Sequence, residues 1–174
     1  TKKKSSGIVQ ISICILTVIL VVLIIAMMMI VSSIQGTARI VNYAGLVRGK
    51  TQRIVKFEIS GKQEDDMIQE IESFIDGLRN GNKELNLVRL EDSDFQTKME
   101  ELNEYFLMLK QEIMQVRAYG ADKTQILSKS EHFFEICDEA TGLAEVYSQR
   151  KASSLSVLEK YITADIVCLL YTSP

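Results

Sequence analysis

The sequence predicts an all-α protein: an N-terminal transmembrane helix, an up-down-up-down four-helix bundle, and a second transmembrane helix truncated at the C-terminus. Three observations carry this. Residues 8–31 run for 24 positions without a charge, and sixteen of them are Ile, Leu or Val. The rest of the chain is rich in Glu, Lys, Leu, Ile and Met, with one proline in 174 residues, a composition that favours helices. Apolar residues also recur at spacings of three and four in four separated stretches, the period of a half-buried helix.

The length is that of one ordinary domain, but the charge is split along the chain. Residues 1–57 hold eight Lys or Arg and no Asp or Glu; residues 58–174 hold twelve Lys or Arg against twenty-three Asp and Glu, so the two parts carry +8 and −11. The acidic majority gives no argument for nucleic acid. Three cysteines, Cys14, Cys137 and Cys168, make neither a disulfide framework nor a zinc cluster, and the single histidine, His132, leaves no histidine-based metal site. No cofactor is implied.

The apolar run would span about 36 Å as a helix, against about 30 Å of bilayer hydrocarbon. It is too long for the hydrophobic region of a cleaved signal, and Ser32-Ser33-Ile34-Gln35 is a poor cleavage site. It reads as an uncleaved anchor. Lys2, Lys3 and Lys4 before it place residues 1–7 in the cytoplasm and residues 32–165 outside the cell membrane.

The first helix should continue from the membrane to about Ile59 and stop near Gly61. A second fits Glu64 to Asn80, with Ile68, Ile71, Phe74, Ile75 and Leu78 on one face and Gly81 as its stop. Asn80 to Asp92 is the longest break. In the third, Phe95, Met99, Leu102, Phe106, Leu109, Ile113 and Val116 form the clearest stripe; Ser93 and Gln96 suggest a capping box, and Gly120 follows the end. The fourth should start at Asp122, with Gln125 three residues later. It lines Ile126, Phe133, Ile136, Ala140, Leu143 and Tyr147 on one face and runs to about Ile162. A bundle of this order returns the chain beside its start. The apolar residues between Val157 and Leu170 then read as the approach to a second membrane helix, beginning at residues 166–174. The last residues, Cys168 to Pro174, also look like translated adapter read-through at the end of a broken gene, which would mean that the natural chain continues.

One stretch of the first helix is unusual. Ile40, Val47 and Ile54 recur every seven residues and make an apolar edge. A second stripe, Ala38, Asn42, Gly45, Gly49 and Gln52, is small and polar. Each glycine costs roughly 1 kcal/mol in a helix relative to alanine, so two on one face suggest that another backbone comes close. Arg48 and Arg53 flank the stripe, and no acidic residue precedes Glu58. Guanidinium groups with Asn42, Gly45 and Gln52 and no local carboxylate describe a site for a small anion. The residues alone leave a second reading open, a basic solvated face with tolerated glycines. Tyr43, Tyr105, Tyr119 and Tyr147 read as core or rim residues, His132 as packing beside Phe133 and Phe134, and Cys137 as a buried thiol.

The run Asn42-x-Ala44-Gly45-x-x-Arg48-x-x-Thr51-Gln52-Arg53 resembles the start of the sensor domain shared by nitrate/nitrite sensor kinases and type IV pilus chemoreceptors, whose pattern is roughly N-x-A-G-x-x-R-x-x-S/T-Q-R. The resemblance implies an extracytoplasmic four-helix bundle between two membrane helices, extending over residues 33–165. It implies a homodimer through the first helix, with the arginine matched by Arg48 holding an anion between two such helices. Gly49 departs from the bulkier residue usual after that arginine in nitrate sensors. The wider string from Val41 to Gly49 is similar to variants in gut Firmicutes, where the domain precedes a diguanylate cyclase or a histidine kinase.

The function expected from this reading is the sensory input region of a two-pass bacterial signalling receptor. Its ligand-binding residues would be Arg48, Asn42, Gly45, Gln52 and Arg53, and its partners the lipid bilayer, a second copy and a small anion. No nucleophile–base pair, phosphate-binding glycine loop or metal cluster argues for catalysis. The alternative is a membrane-anchored bundle acting as a scaffold or adhesion protein.

Overall fold

The computed structural model describes residues 2–120 and 123–172, with side chains in the first helix from Gly7 on. Four helices follow one another: α1 (Lys2–Ser60), α2 (Asp65–Asn80), α3 (Ser93–Tyr119) and α4 (Lys123–Thr172). Residues 36–147 form one compact unit, and residues 1–35 with 148–174 form another.

The core of the 36–147 unit draws on all four helices. From α1 it takes Ile40, Val47 and Ile54, the predicted seven-residue edge, together with Ala44 and Val55. All five predicted apolar residues of α2 and all seven of the α3 stripe are buried. In α4, Ile126, Phe133, Ile136 and Ala140 are buried, while Leu143 and Tyr147 are only partly covered. Ala144 and Cys137 take the fully buried places.

The helix ends follow from local chemistry. α1 stops in a Schellman motif: Gly61 takes φ +82°, its N–H reaches Glu58 O at 3.1 Å, and Lys62 N–H reaches Phe57 O at 2.9 Å. The predicted stops Gly81 (φ +82°) and Gly120 (φ +65°) also lie in the left-handed region. The start of α3 differs from the predicted Ser93–Gln96 capping box. Asp92 is the N-cap, its carboxylate accepting from Phe95 N at 3.0 Å, and Ser93 is the first helical residue. Gln96 instead donates Nε2 to Leu90 O at 2.9 Å. A carboxylate at the N-cap gains from the helix dipole as well as from the hydrogen bond, which favours Asp92 over its hydroxyl neighbour. The predicted start of α4 at Asp122 lies outside the described residues. Its predicted end near Ile162 does not hold, because the helix continues unbroken to Thr172.

The 82–90 connection is ordered rather than open. Asn82 and Leu87 exchange backbone hydrogen bonds at 2.9 and 2.8 Å, and Asn82 Oδ1 accepts from Glu84 N and Leu85 N. The turn drives Leu87 and Leu90 into the core. It can do so because Gly77 has no side chain: a Cβ there would lie 3.0 Å from Leu87 Cδ1.

Among the described residues, one helix, α1, is long and apolar enough to cross a membrane. Its apolar run is bare: Ile8, Val18 and Met28 are 62%, 63% and 65% exposed. An exposed apolar surface of this extent is not stable in water and calls for a lipid or protein covering.

Candidate ligand site on the first helix

Asn42, Gly45, Gly49 and Gln52 are all exposed on α1. A Cβ added at Gly45 or Gly49 would meet nothing within 4 Å. The close backbone approach that the two glycines suggest is therefore not made within one chain, and the stripe is an open face of the monomer.

Arg48 is placed differently from the expectation. Its guanidinium carbon lies 4.7 Å from the centroid of the Phe134 ring, and Nη1 donates to Asp138 Oδ1. Phe134 and Asp138 are four residues apart on α4, so they share one face of that helix. The sequence expectation of an arginine without a carboxylate is thus corrected, since the partner comes from ninety residues away along the chain. Lys50 is neutralised the same way, Nζ to Glu70 Oε2 at 2.7 Å. The charge asymmetry of the sequence is in part a pairing between helices.

Arg53 lies on its own helix, with its guanidinium carbon 5.3 Å from the Phe57 ring centroid. The two arginines therefore rest on different rings, and the structure does not bring both onto one ligand position within a chain. Thr51, three residues after Arg48, is buried, and its Oγ1 has no hydrogen-bond partner. Sequence reasoning missed Phe134 and Asp138. Their i, i+4 spacing beside Phe133 was visible, but nothing local tied them to α1.

Arg48 and Asp138 are 42% and 49% exposed, so theirs is a surface ion pair and individually weak. Cys137, next to Asp138, is fully buried, as the sequence suggested. Burial pushes its thiol from 9.0 up to about 12, the Asp138 carboxylate adds to the shift, and Arg48 opposes it. His132 packs edge-on against Tyr105 at 4.9 Å and bonds Glu135 at 3.0 Å. Among the described residues no group of His, Cys, Asp and Glu is arranged to hold a metal ion.

No protein-family model and no curated protein sequence matches this chain. Among solved structures it is similar to the ligand-binding domain of the P. aeruginosa nitrate receptor McpN, with a TM-score of 0.57 and 18% identity. The match covers 63% of this chain and 96% of that one. At this identity the likeness shows a common helical fold.

Proposed function

We propose that the chain is the sensory input region of a two-pass bacterial receptor. Residues 32–165 lie outside the cell membrane and bind a small anion through Arg48 of two first helices. A cytoplasmic diguanylate cyclase or histidine kinase is the output. The observation that most supports this reading is the open face of α1, where Gly45 and Gly49 leave room for a second backbone beside a half-exposed guanidinium. The bare apolar run at the other end of the same helix supports a membrane anchor. The fold shared with a nitrate receptor's ligand-binding domain supports an oxyanion as the class of ligand. Signalling requires an anion with different affinities for two helix packings.

A scaffold or adhesion role is the second reading, and the Arg48–Asp138 pair favours it, because it gives Arg48 a structural partner without any ligand. The test is calorimetry on the full chain in lipid nanodiscs with nitrate, nitrite, sulfate, phosphate and formate. The sensor reading expects one anion per two chains. Charge-assisted hydrogen bonds contribute roughly 1.5–3 kcal/mol each, so Arg48→Ala should weaken binding at least tenfold, on the order of one decade per 1.4 kcal/mol. Arg48→Lys should restore only part of it, since an ammonium lacks the planar fork. Absence of binding throughout the panel, or an unchanged Arg48→Ala, would leave the scaffold reading.

A further inference from the structure

We propose that Asp138 is the resident occupant of the Arg48 anion site, an internal carboxylate that a ligand must displace, and that it sets which anion valence the site accepts. This rests on the reading of Arg48 as the anion contact.

A carboxylate presents Arg48 with the same acceptor chemistry as any small oxyanion. In this structure one guanidinium nitrogen, Nη1, bonds one carboxylate oxygen, Oδ1, so the contact is made through a single nitrogen–oxygen pair. Phe134 supports the guanidinium from the face of its ring and does so independently of Asp138. When the ion pair opens, the arginine keeps one of its two supports, and little additional ordering is needed to receive a new acceptor. The half-exposure of both partners keeps the pair weak enough to exchange.

The charge balance gives Asp138 a second effect. Arg48 and Asp138 together are neutral, so once an anion has taken Arg48 it lies beside one carboxylate per chain that has lost its counter-charge. That repulsion scales with ligand charge, and a doubly charged oxyanion is penalised about twice as much in free energy as a singly charged one. Asp138 therefore disfavours sulfate more than nitrate. Exchange also has a mechanical result: each time an anion takes Arg48, α1 loses a tie to α4.

The test is calorimetry with sodium nitrate and sodium sulfate on the full chain in nanodiscs, comparing the wild type with Asp138→Asn, a substitution that keeps shape and removes charge. An exposed pair of this kind corresponds to a factor of about two to five. Asp138→Asn should therefore bind nitrate about threefold more tightly and sulfate by a larger factor, about tenfold, because the repulsion removed along with the competitor is about twice as large for a dianion. Equal tightening of both anions overturns the valence effect, since competition alone is blind to ligand charge, and weakening of both, from an Arg48 that wanders without its partner, overturns the whole inference while leaving Arg48 as the contact. Equal affinities in wild type and variant overturn it as well. If neither protein binds either salt, the reading of Arg48 as an anion contact fails first and takes this inference with it. Circular dichroism on both proteins, with a double-mutant cycle on thermal stability using Arg48→Ala, checks independently of ligand that the pair is formed.

Discussion

The guanidinium of Arg117 on α3 holds both carboxylate oxygens of Glu58 on α1, Nε to Oε2 at 3.0 Å and Nη2 to Oε1. Its Nη1 donates to Asp65 Oδ1 at 2.6 Å, in the first turn of α2. Three helix ends meet on one side chain. Glu58 is almost entirely buried, with 4% of its side chain exposed. The hydrogen bonds to Glu58 hold the guanidinium more firmly protonated than usual, with Asp65 adding to this and burial opposing it.

Arg117→Ala should therefore be among the most damaging single changes. It strands a buried carboxylate, which costs about 3–5 kcal/mol. Replacing both partners at once, Arg117→Met with Glu58→Leu, should recover most of the loss, because no charge is then left buried. Thermal unfolding of the two variants checks this; an Arg117→Ala protein as stable as the wild type would show that the clamp does not contribute.

The start of α3 makes a sharper contrast between neighbours. Asp92→Ala should cost about 1 kcal/mol by removing the cap on Phe95 N. Ser93→Ala should cost little, because Ser93 is already inside the helix. Denaturant titration of the two variants separates them, and the reverse order would restore the cap to Ser93.

Glycines on α1 and in the turn after α2 should respond in opposite directions. Gly45→Ala meets open space and gains helix propensity, so the monomer should be about 1 kcal/mol more stable. Gly45→Leu should lower dimerisation in sedimentation, if the open face is where a second copy docks. Gly81→Ala should be about 1–3 kcal/mol less stable, since Gly81 sits at φ +82° with Arg89 N 3.2 Å from the added carbon.

Cys137 should make stability fall in alkali. Its thiol titrates near 9.0 in the unfolded chain and near 12 when folded, so the folded state holds the proton more tightly. Its contribution is complete below pH 9 and is lost as pH rises from 9 towards 12, with a slope of at most about 1.4 kcal/mol per pH unit. Comparing Cys137→Ala with the wild type across this range isolates the effect. Identical pH dependence in the two proteins would mean that the thiol is not shielded.

What was legible in the sequence was what repeats locally. The α3 stripe from Phe95 to Val116 and the stops at Gly61, Gly81 and Gly120 need only neighbours within a turn or two, and the structure has all of them. Contacts between distant segments were not legible. Asp138 reaches Arg48 across ninety residues, and Gly77 makes sense only once Leu87 has folded back over it. The cap at Asp92 was hidden for another reason: two adjacent residues both had capping side chains, and the pattern could not rank a carboxylate against a hydroxyl. At the candidate site the exposed glycine face was visible in the spacing, whereas the ring and the carboxylate that hold Arg48 were not.

The ion pairs between helices also bear on the hand of the bundle. An apolar stripe serves a four-helix bundle equally well whether the chain winds to the left or to the right, since either way it faces the centre. Arg48 and Lys50 lie about 200° apart around α1, at roughly 100° per residue. One reaches Asp138 of α4 and the other Glu70 of α2. In the mirror-image winding α2 and α4 would change places beside α1, and each base would lose its acid. Lys110–Glu72 and Arg79–Glu100 between α2 and α3, and Lys129–Glu112 between α3 and α4, would be parted in the same way. These pairs, some exposed and some partly buried, thereby act together as a choice between two mirror-related paths that the core alone would leave nearly degenerate.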